Sequence, residues 1–282
     1  MINLNGIKLE NRLIIAAGPW SFYWEKWPFL NPGIFGAFTT NTFTLEPREG
    51  NLEFVEIFNR RIFPKIWKVL RKVPGGWINS SGWRNPGIDW AIEELYPKLK
   101  RAGANIIFSI GGFQIVDYLL LVEKLRSLDL SAIELNVSCP NVGFLLRDLG
   151  VLRTLFSEAK RLSNRPLIVK IGVDSDYLAI SKIAKKTGIN ALNAINTVKG
   201  QHSGLESGQG GIGGRIIKAT SLRVIRELKF LNIPIIATGG VYSFEDVKEF
   251  LDSGADAVSF GSVFLSRPWV PRSILKKTQS RA

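Results

Sequence analysis

The chain has 282 residues, of which 45% are hydrophobic, and its 37 basic and 24 acidic residues give a formal net charge of +13. This apolar content excludes a disordered chain and suffices for a sizeable core. The single cysteine excludes an internal disulfide, and no uncharged apolar run reaches the ~18 residues of a membrane helix. The N-terminus lacks the basic and apolar regions of an export signal. A cytoplasmic protein without a membrane span is therefore expected.

Short apolar runs of β type alternate with amphipathic segments, the pattern of repeated βα units. The opening INLNGIKLE, with Asn5-Gly6 between alternating apolar residues, predicts a hairpin that closes the bottom of a barrel. Eight strands are predicted at residues 12–18, 36–42, 105–112, 132–138, 167–173, 191–197, 233–240 and 256–262. Helices are predicted at residues 89–103, 116–128, 151–163, 176–188, 219–231 and 243–254, several of them ending at a glycine. The prediction is an α/β fold, a (β/α)8 TIM barrel forming a single domain over residues 1–282.

Residues 43–87 are too many for an ordinary βα loop and predict an insertion over the top face after strand 2. This insertion contains the densest basic stretch, FNRRIFPKIWKVLRK, at residues 58–72. Such a stretch is typical of a solvated or partner-covered surface, while contact with a membrane surface or with nucleic acid is an alternative. Neutralising Arg60, Arg61, Lys65 and Lys68 would test a docking role for it.

In a barrel of this kind the active site lies at the C-terminal ends of the strands and in the loops that follow. The predicted strand ends are polar, amide-rich and rich in glycine. GQGGIGG, TGG and GS follow the sixth, seventh and eighth strands, where glycine lets backbone N–H groups close on a phosphate. These glycines indicate a phosphorylated cofactor or substrate, although turn glycines with positive φ would give the same pattern.

Lys170, the asparagines and Cys139 complete the predicted chemistry. A lysine at the end of an apolar strand is either solvated or stands beside an electron-rich ring. Asparagines offer donors and an acceptor to the edge of a cyclic imide or pyrimidine. Cys139, in the segment ELNVSCPN, is placed to act as a base if its thiol is accessible and its pKa is lowered. His202 is interpreted as a loop residue, and no pattern of metal ligands is found.

Taken together, these motifs resemble the dihydroorotate dehydrogenase family, the FMN enzymes of pyrimidine synthesis. The resemblance covers almost the whole chain and is carried by TFTLEPREGN, INSSGWRNPGID, ELNVSCPN, PLIVKIG, INT, GGIGG and IPIIATGGV in family order. The cysteine and the absent N-terminal helical extension are similar to the soluble class 1 rather than to the membrane-associated class 2, which uses serine. The resemblance implies oxidation of dihydroorotate to orotate, in which a base removes the C5 proton while flavin N5 accepts the C6 hydride.

Carried over by position, the resemblance implies a role for each motif. Cys139 would be the catalytic base. The substrate would be bound by Asn79, Asn136, Asn141, Asn196 and Thr197. FMN would be bound by Ala17, Gly18, Asn41, Lys170, Gly213, Gly214, Gly239, Gly240, Gly261 and Ser262. A homodimer is expected from the resemblance alone, with no nucleic acid and no metal ion bound.

Three positions depart from the family pattern. Asn41 stands where the family has a lysine that contacts flavin and substrate, Trp83 stands where leucine is usual, and the loop after Cys139 is shorter. Arg84 or the insertion would have to replace the lost positive charge. An FMN oxidoreductase or binding protein for a neutral heterocycle therefore stays an alternative, and tRNA dihydrouridine synthase is a further one.

The oxidant of reduced flavin is left open by the sequence. Class 1 relatives use fumarate directly or pass electrons to a partner subunit that carries another flavin and an iron–sulfur cluster. GGIGG resembles the first group and INT resembles the second. An electron-transfer partner protein is therefore expected from the family resemblance.

Overall fold

The computed structural model describes residues 1–18, 24–26, 30–51, 55–57, 60–62, 68–138 and 148–280; at residues 26, 55–57 and 60–62 it describes the backbone alone. The strands, in chain order, are β1 (Ile2–Leu4), β2 (Ile7–Leu9), β3 (Leu13–Ile15), β4 (Ala37–Thr39), β5 (Val55–Ile57), β6 (Arg60–Ile62), β7 (Leu70–Val73), β8 (Gly76–Asn79), β9 (Ile106–Ile110), β10 (Ala132–Asn136), β11 (Leu167–Ile171), β12 (Ala191–Ala194), β13 (Val198–Gln201), β14 (Gln209–Gly214), β15 (Ile235–Thr238) and β16 (Ala257–Phe260).

Eight of these strands close into a parallel barrel in the order β3, β4, β9, β10, β11, β12, β15, β16. They are the eight strands predicted from the sequence, so the (β/α)8 fold is confirmed. Each strand spans three to five residues, and the alternation of side chains along it decides which of them face the barrel axis.

Helices fill the connections, as the βα pattern predicts. They are α1 (Ile88–Trp90), a π-helical turn (Ala91–Leu95), α2 (Tyr96–Arg101), α3 (Ile115–Leu125), α4 (Leu149–Leu162), α5 (Tyr177–Lys186), α6 (Lys218–Leu228), α7 (Phe244–Asp252) and α8 (Val270–Gln279), with short 3-10 turns at Trp24–Lys26, Pro32–Ile34, Arg215–Ile217, Lys229–Leu231 and Ser262–Leu265. Helix α8 has no counterpart in the sequence prediction. Pro268 and Pro271 obscured a helical segment in which Pro271 suits the first turn and Ile274 and Leu275 are buried. Among the described helices, none combines the length and the apolar character needed to cross a bilayer.

The N-terminal hairpin closes the bottom of the barrel, as its alternating pattern predicts. β1 and β2 pair antiparallel, and the turn between them holds Asn5 and Gly6 at positive φ. Their buried side chains form one apolar cluster with the first inward-facing residue of every barrel strand; the cluster consists of Leu4, Ile7, Leu9, Ile14, Ala37, Ile107, Ala132, Ile168, Ala191, Ile236 and Ala257. The barrel is therefore sealed by hydrocarbon at one end, and its polar residues lie above this layer.

The insertion after β4 contributes strands to a sheet over the barrel top. β7 and β8 pair with β13 and β14 in the order β13, β14, β8, β7, and we call these four strands the cap sheet. The segment GQGGIGG was interpreted from the sequence as a glycine-rich loop, whereas residues 209–214 are strand β14 of this sheet. Glycine is needed there because backbones approach closely: a Cβ on Gly210 would lie 2.4 Å from the carbonyl oxygen of Asn79.

Truncating the hairpin tests whether it closes the barrel. Ile7→Ala removes a fully buried side chain from the bottom cluster and is expected to lower the free energy of unfolding by about 2–5 kcal/mol. Lys8→Ala, at the exposed position between Ile7 and Leu9, is the control and should change it by less than about 0.5 kcal/mol. Equilibrium urea unfolding measures both, and equal small effects would show that the hairpin does not seal the core.

Candidate active site

A polar layer lies inside the barrel directly above the apolar bottom cluster. Because side chains two residues apart share a face of a strand, the next inward position on each barrel strand follows from that cluster. These positions are Ala16, Thr39, Ser109, Glu134, Lys170, Asn193, Thr238 and Ser259. Barrel interiors are normally filled by branched apolar residues. A layer in which only Ala16 is apolar therefore marks the top half of this barrel as a site.

Lys170 places a positive charge in this layer. Its side chain shares the inward face of β11 with Ile168, and the residue is only 5% exposed. In register it lies between Asn136 on β10 and Asn193 on β12. Among the described residues, its ammonium group has no hydrogen-bond or ion-pair partner. Because a buried charge is costly unless it is paired, Lys170 stands out in this layer as a candidate binding residue.

Glu134 is the buried carboxylate of the same layer. Its Oε1 accepts a hydrogen bond from Ser109 Oγ at 2.9 Å, and its Oε2 accepts one from Asn193 Nδ2 at 2.6 Å. Thr238 in turn donates to Asn193 Oδ1 and contacts Ser259 Oγ. Both partners of the carboxylate are therefore neutral donors, and the layer is continuous from β9 to β16.

The amides predicted at the strand ends are brought together above this layer. Asn136 is 3% exposed; its Nδ2 donates to Thr42 Oγ1 at 2.9 Å, and its Oδ1 accepts from Ser138 Oγ at 3.0 Å. Asn196 Nδ2 donates to Ser138 Oγ at 2.9 Å, and Asn196 Oδ1 accepts from the backbone N–H of Thr197. Asn136 and Asn196 therefore belong to one cluster, joined by the hydroxyl of Ser138.

Asn79 reaches the same cluster from the cap sheet. It ends β8, and its Nδ2 donates to the carbonyl oxygen of Gly211 at 3.2 Å. A Cβ on Gly211 would lie 2.1 Å from the hydroxyl of Thr197, so Thr197 packs directly on β14. Asn79, Thr197 and Asn196 are thus linked by contacts from the cap sheet to the barrel.

The predicted cofactor glycines line the other side of the barrel top. A Cβ on Gly213 would lie 3.0 Å from Ser262 Oγ, which joins β14 to the turn after β16. Gly239 and Gly240 follow β15 at φ values of +113° and +86°. Ala17 and Gly18 follow β3, whose neighbour in the barrel is β16, the strand that Gly261 follows. The structure therefore gathers these residues around adjacent strand ends, where bare backbone lines the surface.

An ion pair holds the loop after β15. Asp246 accepts hydrogen bonds from Lys218 and from the backbone N–H of Tyr242. Burial alone would raise the pKa of Asp246, but these bonds and the charge of Lys218 outweigh burial and hold the pKa below its ordinary value. Because the folded pKa is lowered, the stabilisation is present above the unfolded pKa of about 3.9 and is lost as the pH falls through the folded value.

The departures from the family pattern occupy one side of the site. Asn41 Nδ2 donates to the carbonyl oxygen of Arg84 at 3.1 Å, so the amide is held by backbone. Trp83 adopts a positive φ of 55°, and its ring would lie 2.8 Å from a Cβ on Gly111. Trp83 also contacts Phe113, over which the guanidinium of Arg48 lies at 4.6 Å. The tryptophan therefore covers the end of β9 beside Thr42.

Cys139, Asn141 and the loop after them lie outside the described residues, so the predicted base is not placed by the geometry. Within the described residues, no cluster of three or more His, Cys, Asp or Glu side chains is arranged to hold a metal ion. His202 lies between β13 and β14, where its Nδ1 accepts from the backbone N–H of Gly204. Sequence reasoning missed Glu134, Ser109 and Asn193; the alternation that puts Asn136 on the inner face would have found Glu134.

The fold and these contacts define a (β/α)8 barrel with a ligand site at the C-terminal ends of its strands. The chain belongs to the dihydroorotate dehydrogenase family, because the family model described as "Dihydroorotate dehydrogenase" matches residues 1–281. This confirms the family expected from the sequence motifs.

Individual proteins agree with the family match. The chain is 33% identical over 279 residues to the catalytic subunit of dihydroorotate dehydrogenase B (NAD(+)) from Endomicrobium trichonymphae, covering 95% of this chain and 87% of the relative. It is 31% identical to the corresponding subunit from Geobacillus kaustophilus, covering 97% and 88%. A crystal structure of DHODH from Eimeria tenella in complex with ferulenol matches 99% of this chain and 83% of that one, with a TM-score of 0.74 at 19% identity, and supports the fold.

The lack of a partner for Lys170 among the described residues has a measurable cost. Lys170→Met should raise the free energy of unfolding of the ligand-free protein by about 1 kcal/mol or more, because a neutral chain of similar length is easier to desolvate than the ammonium chain of a residue that is only 5% exposed. Lys182→Met, at an exposed position on α5, is the control. Urea unfolding of protein stripped of small molecules measures both variants, and a destabilised Lys170→Met would show that the ammonium is already paired.

The glycine loop after β15 is tested by adding one methyl group. A Cβ on Gly240 would lie 2.6 Å from the Cβ of Lys218, whereas Gly208 also has positive φ but nothing within 4 Å of its Cβ position. Gly208→Ala should lose about 1 kcal/mol of stability through backbone strain alone. Gly240→Ala should lose about 1–3 kcal/mol more through overlap. Equal losses in thermal unfolding would contradict the close packing of this loop.

Proposed function

We propose that this chain is an FMN-dependent dihydroorotate dehydrogenase of class 1, which oxidises dihydroorotate to orotate in pyrimidine synthesis. The observation that carries the proposal is Lys170, a buried cation that lacks a partner among the described residues and lies in register with Asn136 at the end of a barrel strand. Membership of the dihydroorotate dehydrogenase family supports an oxidoreductase that acts on dihydroorotate.

The residues at the barrel top fit a flavin mononucleotide. Bare glycine backbone at the ends of β14, β15 and β16 leaves room and N–H groups for a phosphate, and Lys170 supplies a positive charge where reduction adds negative charge to a ring. The residues proposed to hold FMN are Ala17, Gly18, Asn41, Lys170, Gly213, Gly214, Gly239, Gly240, Gly261 and Ser262. When bound, FMN supplies the hydride acceptor for C6 of the substrate.

The amide cluster is proposed to hold the substrate ring. Asn136 and Asn196 are oriented by their bonds to Ser138, so each presents a defined donor or acceptor rather than a freely rotating amide. Asn79 and Thr197 complete the cluster from the cap sheet, and Asn141 is proposed to join them. Fixed amides align the ring for reaction, which contributes to catalysis by removing orientational freedom.

Cys139 is proposed to remove the proton from C5. It is the next residue in sequence after Ser138, whose hydroxyl joins Asn136 to Asn196. A thiol with an ordinary pKa of about 8.5 is a weak base at neutral pH, so a lowered pKa would increase its effect. Asn136, Asn196 and Thr197 would hold C5 of the substrate within reach of the thiolate. Lys170 would stabilise the negative charge that the flavin ring gains on reduction.

The electron acceptor is proposed to be reached through a partner subunit. The relatives reported above are named as catalytic subunits of NAD(+)-linked dihydroorotate dehydrogenase B, which favours this route over direct use of fumarate. The basic segment at residues 58–72 remains the proposed docking surface. Within its described part, Lys68 Nζ forms an ion pair with Glu206 Oε1 at 3.2 Å. Homodimer formation is proposed on the family resemblance, and a cytoplasmic location is proposed on the sequence features given above.

A second candidate, oxidation of a neutral cyclic amide, rests on Asn41. This side chain is neutral, and its amide is held by the backbone of Arg84, so position 41 offers a substrate carboxylate no countercharge. The family match favours dihydroorotate dehydrogenase over the tRNA dihydrouridine synthase considered from the sequence.

Anaerobic reduction separates these candidates. Dihydroorotate added to the flavin-loaded protein should bleach the flavin absorbance, and Cys139→Ala should slow bleaching by about 10²–10⁴-fold because the general base is lost. His202→Ala, which removes the only histidine of the chain, is the control and should bleach at the parent rate. Parent protein that stays yellow with dihydroorotate but bleaches with a neutral dihydropyrimidine would favour the second candidate. Equal rates in Cys139→Ala and the parent would exclude the thiol as base.

A further inference from the structure

Glu134 is a buried ionisable group that the proposed reaction does not use. It is 1% exposed, lies on β10 two residues before Asn136, and accepts hydrogen bonds from Ser109 and Asn193. A single buried carboxylate with two neutral donors is costly compared with an apolar residue, which the barrel interior would accept at this position. Its place in the site therefore needs an explanation.

The carboxylate sets the direction of a chain of hydrogen bonds. Ser109 Oγ donates to Glu134 Oε1, and this bond uses its only hydroxyl hydrogen. Ser109 Oγ then has to accept from Thr42 Oγ1, which lies 3.1 Å away. Thr42, having used its own hydrogen, has to accept from Asn136, and only the Nδ2 group of that amide can donate.

The same chain continues through Asn136 to the second substrate amide. With Nδ2 committed to Thr42, the Oδ1 atom faces Ser138 and accepts from its hydroxyl at 3.0 Å. Ser138 Oγ in turn accepts from Asn196 Nδ2. An amide looks the same in shape when its oxygen and nitrogen are exchanged, so shape alone does not select one orientation. For Asn136, Glu134 makes the two orientations unequal, in the same sense as the long bond from the backbone N–H of Ser138 to Asn136 Oδ1 at 3.4 Å.

We propose that Glu134 is a positioning residue that fixes the amide orientation of Asn136 by acting as the terminal acceptor of this chain; the orientation of Asn196 is already held by the backbone N–H of Thr197. The proposal deepens the proposed function, on which it rests, because Asn136 is one of the amides assigned to the substrate ring. A pyrimidine edge alternates donors and acceptors, so inverting Asn136 would exchange the donor and the acceptor that it can offer to the ligand.

Two substitutions separate orientation from charge. Glu134→Met removes both acceptor oxygens at similar length, so Ser109 is free to reverse and Asn136 is no longer held in one orientation. Glu134→Gln can keep a carbonyl oxygen toward Ser109, so this branch of the chain is preserved. Its NH2 group then faces Asn193, and Asn193 can invert its own amide to accept from it. We expect Glu134→Met to weaken orotate binding about tenfold or more. We expect Glu134→Gln to stay within about threefold of the parent.

The measurements are the orotate dissociation constant by calorimetry, the bound flavin content, and KM and kcat for dihydroorotate. Misoriented amides should raise KM more than they lower kcat, because Cys139 is untouched, and flavin content should be unchanged. Ser259→Ala is the matched control, because Ser259 is buried in the same layer. It contacts Thr238 on the far side of Asn193, so its loss leaves the bond from Asn193 to Glu134 in place.

A double-mutant comparison tests the route. Ser109→Ala cuts the chain between Thr42 and Glu134, and the effects of Ser109→Ala and Glu134→Met on orotate affinity should not add if they act through one chain. Additive effects, equal losses in Glu134→Gln and Glu134→Met, or parent affinity in Glu134→Met would each overturn the proposal. If Glu134→Met does not fold, the test rests on Ser109→Ala. Orotate affinity equal to that of the parent in Ser109→Ala would contradict the proposed chain of hydrogen bonds. Failure of the parent itself to bind orotate would instead reject the proposed function.

Discussion

The site depends on one constraint, that polar and charged groups inside a barrel must be satisfied without water. Glu134 and Lys170 occupy the same layer, where one is surrounded by donors and the other lacks a partner among the described residues. The two groups lie on the neighbouring strands β10 and β11, so a hydrogen-bonded carboxylate stands beside a lysine with no such partner. The hydrogen-bonded groups hold the amides on β10 and β12, and the lysine between them is the position at which we propose an electron-rich group.

The apolar bottom of the barrel helps to offset the free-energy cost of the polar layer above it. The hairpin seals the lower end with Ile7 and Leu9, and a larger apolar cluster packs the outward side chains of the barrel strands against the helices, so the hydrophobic contribution to folding comes mainly from outside the polar layer. The upper layer can then carry side chains that a folding core would not tolerate. Separation of a stable lower half from a functional upper half is general to this fold.

Much of the fold could be predicted because its signals are local. Each barrel strand is a short, mainly apolar segment next to an amphipathic one, and the turn residues Asn5 and Gly6 predict the hairpin. The cap sheet could not be predicted, because β8 and β14 are separated by more than a hundred residues and a glycine-rich strand resembles a loop. Strand-end amides were found from the barrel rule, whereas Glu134 was hidden by its position within a strand.

The cap sheet gives the site a mechanical property. β8 ends at Asn79, a proposed substrate residue, and its hydrogen-bonded neighbour β14 carries Gly213, a proposed cofactor residue. A sheet moves as a unit because bending one strand strains the bonds to the next, so lifting the cap displaces both residues together. The proposed substrate and nucleotide sites therefore share one mechanical element, and any effect of one ligand on the affinity for the other must be matched in reverse.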